Sequence, residues 1–233
     1  MKVHLIKAFS DNYIWVIEKE HKAIVVDPGV ATDVLTHLTE NKLDLEAILL
    51  THHHDDHTGG VKEILEAYPG TPVYGPVETP DLADHIVREG ATFDLLGQTF
   101  DVFKTAGHTE EHISFLTDNY LFCGDALFSG GCGRVFTKDY QAQFDALQKF
   151  NALADDVKVY AAHEYTLTNL RFAHSVRPKD KSLEEAIDEV TELREKDQPT
   201  LPSTIGKEKE INLFLKAETL DEFTALRDAR DAF

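Results

Sequence analysis

The sequence is poor in cysteine, in long apolar runs and in positive charge. Its 233 residues include two cysteines, Cys123 and Cys132, and these are not at CxxC spacing. This spacing argues against both a disulfide framework and a zinc ribbon. We therefore expect both cysteines to be small buried residues rather than reactive thiols.

No segment of the chain has the run of about 18 apolar residues that a membrane-spanning helix needs. The N-terminal residues, Met1 to Lys7, also lack the uninterrupted apolar core of a signal peptide. We expect a soluble, cytoplasmic protein. Its length allows one large domain, or a domain with an appendage, around a substantial core.

Positive charge is scarce, because the formal net charge is −19. Such a chain is expected to bind neither nucleic acid nor an anionic membrane surface. The imbalance is uneven, since residues 166–233 hold 11 Lys and Arg against 15 Asp and Glu. An anionic substrate would be attracted by this segment or by bound metal ions.

Apolar patterning changes character along the chain. Strand patterns are predicted at 13–17, 23–26, 47–50, 99–103, 112–116, 120–122 and 157–161. Helical patterns are predicted at 31–40, 60–68, 139–151, 164–175, 182–196, 207–215 and 220–232. Because nearly everything after residue 163 is helical, we predict two domains, residues 1–165 and residues 166–233.

The richest stretch in potential metal ligands reads THHHDDHTGG, from Thr51 to Gly60, and holds four of the 12 histidines. It follows the apolar run that ends at Leu50, so it lies just beyond a buried strand. Alternation in extended backbone puts His52 and His54 on one face and turns His53 away.

Imidazole and carboxylate together suit zinc, iron or manganese. The pair His52 and His54 and the pair Asp56 and His57 point in slightly different directions, as two adjacent metals would need. The alternatives are a solvated polar loop, or one structural zinc with local ligands, although such sites are usually rich in cysteine.

Three other candidate ligands, His108, Asp125 and His163, also follow strand patterns. Functional side chains gather outside the strand ends of open α/β sheets. Each has an alternative when taken alone: a turn residue, a helix cap or a satisfied core histidine. Their shared placement favours a common site with the first cluster.

These motifs resemble the metallo-β-lactamase superfamily, whose HxHxDH signature matches the first cluster and whose later ligand motifs match His108, Asp125 and His163 in order. The segments AFSDNYIWVIE, VVDPG, YLFCGDALFSGGCGR, AAHEYTLTNLRFA and INLFLKAE are similar, more closely, to the glyoxalase II (hydroxyacylglutathione hydrolase) family. The similarity covers nearly the full length. It implies an α/β fold, an αββα sandwich followed by a C-terminal all-helical domain that binds the substrate.

The resemblance implies two divalent metal ions, with zinc expected and iron or manganese as alternatives. One metal would take His52, His54 and His108, and the other would take Asp56, His57 and His163. Asp125 would bridge both. Asp27 is a candidate hydrogen-bond partner that holds a ligand histidine in its tautomer; a turn-forming role is equally open.

The activity that the resemblance implies is hydrolysis of S-D-lactoylglutathione and related 2-hydroxyacylglutathiones, the second step of methylglyoxal detoxification. Two metals sharing a water can lower its pKa from about 15.7 toward 7, which gives a hydroxide nucleophile. Asp56 and Asp125 would be the catalytic carboxylates, and Asp56 can orient the hydroxide.

The family's substrate contacts fall on Arg134, Phe136, Tyr165 and Lys216. Lys216 stands where close relatives usually have Arg. The ammonium group of Lys216 is a point charge and replaces a planar guanidinium, which can bind a carboxylate through two nitrogens. Phe136 lacks the hydroxyl that some members have at that place. Both Lys216 and Arg134 could also be solvated charges. The expected partner is a small-molecule glutathione thioester, and we expect a monomer.

Three other functions are compatible with the motifs. A lactonase or a different thioesterase would keep the metals but not need the substrate contacts. A persulfide dioxygenase with a single iron also uses HxHxDH, and a non-catalytic metal-binding module is the third. Metal analysis combined with a thioester assay separates them.

Overall fold

The computed structural model describes residues 1–233, and the chain forms two compact units. Unit 1 comprises Met1–Lys104 and Thr109–Asp118, and unit 2 comprises Thr105–His108 and Asn119–Phe233. These limits differ from the predicted boundary near residue 165, and the division into 1–165 and 166–233 stays a prediction.

Unit 1 is built from strands with three helices between them. The strands are β1 Lys2–Ala8, β2 Asn12–Lys19, β3 Lys22–Val26, β4 Asp44–Leu49, β5 Val73–Gly75, β6 His85–Ile86, β7 Thr92–Leu95, β8 Gln98–Lys104 and β9 Ile113–Thr117. The helices are α1 Thr32–Asn41, α2 Asp55–Thr58 and α3 Val61–Ala67.

The main sheet of unit 1 has the order β1-β2-β3-β4-β5-β6. Strands β1 to β3 pair antiparallel, and β3 to β6 pair parallel. The apolar run of β3 is buried from Ala23 to Val26, as expected for a strand covered on both faces. Because β3 and β4 are parallel, their carboxyl ends bring Asp27 and the Thr51–His57 stretch to one edge.

Helices α1 and α3 cover one face of this sheet. Val34 and Leu38 of α1 and Ile64 of α3 are completely buried against strand residues such as Val25 and Ile48. A separate antiparallel pairing joins β7 to β8 and β8 to β9.

Unit 2 combines short strands with five helices. The strands are β10 Tyr120–Gly124, β11 Leu127–Phe128, β12 Gly131–Cys132, β13 Lys158–Ala161 and β14 Ser203–Thr204. The helices are α4 Tyr140–Asn151, α5 Thr166–Val176, α6 Lys181–Glu195, α7 Ile205–Ile211 and α8 Leu220–Ala232. Strands β10 and β13 pair in parallel, so Asp125 and His163, which follow them, lie at the same edge.

The helices of unit 2 start where polar side chains cap them. Asp139, Asp180, Thr204 and Thr219 each accept a hydrogen bond from a backbone N–H of the first turn, which satisfies a donor that the helix leaves open. An apolar core holds three of these helices together. It is formed by Leu170, Ala173, Leu183, Ala186, Val190, Ile211 and Leu213.

The predicted elements are confirmed with two kinds of difference. The helix predicted at 207–215 spans Ile205–Ile211, because the side chain of Asn212 accepts from the amides of Phe214 and Leu215 and turns the chain. Strand β1 and the short strands β5, β6, β7, β11, β12 and β14 were not predicted, since their patterns are brief or strongly polar. None of the helices combines the length and apolar character needed to cross a membrane.

Both cysteines are buried, as predicted. Burial raises the pKa of the Cys123 thiol and, as the largest influence, that of Cys132. We therefore expect neither thiol to react with Ellman's reagent at neutral pH in the folded protein, and both to react in guanidinium chloride. Fast labelling of the native protein would show that a cysteine is accessible.

Candidate metal centre

The Thr51–His57 stretch has the alternation that its sequence predicts. His52 is completely buried, whereas His53 and Asp55 are exposed. His54 precedes α2 and is only partly exposed. The exposed His53 lies 3.4 Å from a carboxylate oxygen of Glu78, away from the buried histidines.

The rings of His52 and His54 converge. Nε2 of His52 lies 3.0 Å from Nδ1 of His54, so the two nitrogens can share one neighbouring atom. The ring of His52 also stacks on the buried His112, with centroids 4.9 Å apart. His112 is not among the predicted site residues, although its placement at the start of a predicted strand was a signal.

Asp27 is a buried carboxylate with several donors around it. It accepts from the amide of Thr51 at 2.8 Å and from its hydroxyl at 2.6 Å, and Nδ1 of His57 lies 3.1 Å away. Asp27 has φ of 52°, a left-handed conformation that is costly for a residue other than glycine. The donors around its carboxylate offset that cost.

Asp56 is oriented by Asn12, a residue that is not among the predicted site residues. Nδ2 of Asn12 donates to Oδ2 of Asp56 at 2.9 Å, and Nε2 of His57 lies 3.5 Å from the same oxygen. Gly29 allows the backbone of Asp56 to approach, because a Cβ there would lie 1.8 Å from the Asp56 carbonyl oxygen.

In unit 2, one carboxylate lies between two histidines. Nε2 of His108 is 3.4 Å from Oδ2 of Asp125, and Nε2 of His163 is 3.3 Å from Oδ1. All three side chains are buried. Each oxygen of Asp125 therefore faces a different histidine, which is the arrangement that a bridging carboxylate needs.

The second ring nitrogen of His108 has a backbone partner. Nδ1 lies 2.9 Å from the carbonyl oxygen of Arg134, and since a carbonyl only accepts, Nδ1 carries a proton, which in the neutral ring leaves the lone pair on Nε2. The ring of His163 stacks on Tyr165, with centroids 4.8 Å apart and an interplanar angle of 7°.

The residues present fit divalent metal ions. In unit 1, the facing nitrogens of His52 and His54 are 3.0 Å apart, and Nε2 of His57 lies 3.5 Å from Oδ2 of Asp56. In unit 2, Asp125 faces His108 and His163. A set of imidazole nitrogens and carboxylate oxygens without thiolate suits zinc, iron or manganese.

The predicted substrate residues lie in different surroundings. Arg134 lies over the ring of Phe136, 5.9 Å from its centroid, and Nε of Arg134 lies 3.3 Å from Asp231. Phe136 is largely exposed and its ring is 5.2 Å from that of His108. Lys216 is on the surface, where Nζ donates to the carbonyl of Glu210.

Comparison with known proteins gives a consistent result. The family model of the metallo-beta-lactamase superfamily matches residues 9–193, and the model described as hydroxyacylglutathione hydrolase C-terminus matches residues 164–233.

A hydroxyacylglutathione hydrolase of Glaesserella parasuis is 54% identical over 100% of both chains. One of Actinobacillus pleuropneumoniae is 52% identical, covering 98% of this chain and 97% of its own. Among solved structures, ETHE1 from Myxococcus xanthus superposes with a TM-score of 0.75 at 24% identity, over 98% of this chain and 90% of its own.

These findings confirm the predicted fold class. The architecture is the two-sheet α/β sandwich of the metallo-beta-lactamase superfamily, followed by a helical C-terminal domain. The individual site residues stay predictions.

Asp27→Asn should weaken metal binding, because an amide at this position removes the charge that pairs with His57 and can present a donor to it. We expect a loss of about 10- to 100-fold in metal affinity, measured by metal analysis after dialysis against graded chelator. Asp55→Asn, an exposed aspartate of the same stretch, is the matched control. Equal metal retention by the two variants would contradict a role for Asp27.

Proposed function

Since the chain belongs to the hydroxyacylglutathione hydrolase family of the metallo-beta-lactamase superfamily, we propose that it hydrolyses S-D-lactoylglutathione to D-lactate and glutathione with two divalent metal ions. The resemblance inferred from its motifs and the hydroxyacylglutathione hydrolase activity are confirmed by this membership. The acyl group, the number of metals and the residue roles are the proposal.

The proposed ligands are those that the family motifs indicate. They are His52, His54 and His108 for one ion, Asp56, His57 and His163 for the other, and Asp125 for both. When bound, two such ions supply a hydroxide at neutral pH and positive charge for the oxyanion that develops at the thioester carbonyl. We expect zinc, with iron or manganese as alternatives.

Neighbouring residues orient the proposed ligands through hydrogen bonds. Asp27 accepts from Nδ1 of His57 and leaves its Nε2 for a metal, and the Arg134 carbonyl does the same for His108. The amide of Asn12 holds one oxygen of Asp56, so that this carboxylate keeps one orientation and can accept a proton from the attacking water.

Glutathione carries two carboxylates, and its pocket must offer cations and donors. We assign this role to Arg134, Tyr165 and Lys216, with Phe136 as an apolar surface beside the reacting thioester. Phe136 contacts His108 and Tyr165 stacks on His163, which supports substrate contact beside the two ligand histidines.

The observation that carries the proposal is the full-length similarity to curated hydroxyacylglutathione hydrolases. The decisive experiment is steady-state hydrolysis of S-D-lactoylglutathione by protein of known metal content. Release of glutathione with two metals per chain would support the proposal. Preference for a lactone, or one iron with persulfide oxidation, would replace it.

Location and assembly are further proposals. We expect a cytoplasmic monomer that binds neither nucleic acid nor membranes. Light scattering during size-exclusion chromatography tests the monomer, and a mass of twice 26.2 kDa would contradict it.

Asp125→Ala should lose binding of both metals or nearly all activity, because one carboxylate serves two ions in the proposed centre. Metal analysis and turnover of the purified variant measure this. A variant that keeps two tightly bound metals and normal turnover would refute the bridging role.

Lys216→Ala should mainly raise KM for glutathione thioesters, since a remote contact is lost equally from the ground state and the transition state. We expect about a fivefold increase, because an exposed charge pair contributes about 1 kcal/mol or less. Lys179→Ala, at another exposed lysine, is the control. A fall in kcat at unchanged KM would count against a binding role.

A further inference from the structure

The C-terminal helices of unit 2 hold a segment that lies against two of the proposed metal ligands. This segment, residues 128–134, runs from the β11–β12 hairpin to Arg134. It contains three glycines, so its backbone has few side chains of its own to fix it. Its polar backbone groups are instead bound by side chains that are distant in sequence.

Helix α7 binds the hairpin through Glu208 and the residue that ends the helix, Asn212. The completely buried carboxylate of Glu208 accepts from the hydroxyl of Ser129 and the amide of Gly130, both at 2.8 Å. It also accepts from the hydroxyl of Ser203. The amide group of Asn212 donates to the carbonyl oxygens of Phe128 and Gly131 and to Glu208.

Two other helices bind the rest of the segment. Asn169 of α5 donates to the carbonyl of Ser129 at 3.1 Å. Arg227 of α8 donates to the carbonyl of Cys132 at 2.8 Å and lies 3.5 Å from that of Gly133. The guanidinium of Arg227 is itself fixed by Asp231 at 2.8 Å.

The other side of the segment meets the metal ligands. A Cβ at Gly133 would lie 2.0 Å from the carbonyl oxygen of Asp125 and 3.0 Å from Nδ1 of His108. The next residue, Arg134, offers the carbonyl that accepts from His108. The position of this segment therefore determines where the carbonyl partner of His108 lies.

We propose that Glu208 is a positioning residue for the metal centre: together with Asn212 and Arg227 it fixes the 128–134 segment so that the Arg134 carbonyl holds His108 in its Nδ1–H tautomer with Nε2 directed to the metal. The helical region thus acts on the metal site as well as on the substrate. This inference rests on the proposed metal role of His108.

The energetic basis is the cost of burying a carboxylate. An unsatisfied buried charge is strongly unfavourable, and one with several donors is tolerated. Glu208 has four donors: Ser129 and Gly130 on the hairpin, Ser203 on β14, and Asn212 at the end of its own helix. Moving the hairpin would therefore remove two of the four donors from a completely buried carboxylate, and this favours a single position of the segment.

Glu208→Gln tests the proposal, because it keeps the volume and replaces one acceptor oxygen with a donor that opposes a hydroxyl or an amide. We expect metal affinity to fall about tenfold, with a lower kcat and little change in KM. In the metal-free variant, nitrogen-15 NMR of the imidazoles should show His108 as a mixture of tautomers, whereas the wild type shows Nδ1–H alone.

The matched control is Glu210→Gln, the same change at an exposed site of the same helix. It should keep wild-type metal affinity and the wild-type His108 spectrum. A Glu208→Gln protein with wild-type metal affinity and a raised KM would overturn the proposal, because the helices would then act on the substrate alone.

Arg227→Lys provides a second test if Glu208→Gln does not fold. A lysine keeps the positive charge but lacks the planar guanidinium whose two terminal nitrogens bind Asp231 and the Cys132 carbonyl. Weaker metal binding than in Arg171→Lys, an exposed change on α5, supports the proposal, and equal binding overturns it. Because metal affinity and the His108 spectrum need no substrate, their outcome is independent of whether S-D-lactoylglutathione is the substrate.

Discussion

Two pairs of parallel strands impose the constraint on which the candidate site depends. Parallel neighbours end at the same edge of a sheet, so β3 and β4 bring Asp27 beside Thr51 and His57. Strands β10 and β13 likewise bring Asp125 beside His163. An antiparallel pair would send these side chains to opposite edges. The placement of these side chains at common edges therefore follows from the direction of the strands.

Each buried histidine at these edges needs a partner that decides which nitrogen carries its proton. Unit 1 supplies the carboxylate of Asp27 to His57, and unit 2 supplies the backbone carbonyl of Arg134 to His108. A carboxylate raises the basicity of the ring more than a neutral carbonyl does. A carbonyl adds no negative charge to a centre that, in the proposed ligand set, already includes Asp56 and Asp125.

The sequence predicts the parts of this arrangement that depend on local pattern. Alternation after β4 predicts that His53 turns away from His52 and His54, and His53 is exposed in the structure. His108, Asp125 and His163 are predicted as ligands because each follows a strand pattern and because each matches a family motif. The C-terminal end of α7 was predicted at residue 215, but the helix ends at Ile211. The side chain of Asn212 accepts from the amides of Phe214 and Leu215 there, and a local sequence pattern does not reveal this contact.

Partners that are distant in sequence could not be predicted in this way. Asn12 reaches Asp56 across 44 residues, and Glu208 reaches Ser129 across 79. In the sequence, Glu208 is one charge among the alternating lysines and glutamates of residues 207–210, a pattern typical of a solvated helix face. Only tertiary packing distinguishes it from Glu210, since one is completely buried and the other is exposed.

The pairing of Arg134 with Asp231 bears on substrate binding in so acidic a chain. Their contact is 3.3 Å, and the side chains are 51% and 30% exposed, so the pair contributes about 1 kcal/mol at most. Asp231 also binds Arg227 at 2.8 Å and keeps that partner if Arg134 turns to a carboxylate of glutathione. Replacing the Asp231 carboxylate with a glutathione carboxylate at Arg134 would therefore cost little free energy. The guanidinium of Arg134 is about half exposed while it lies over the ring of Phe136.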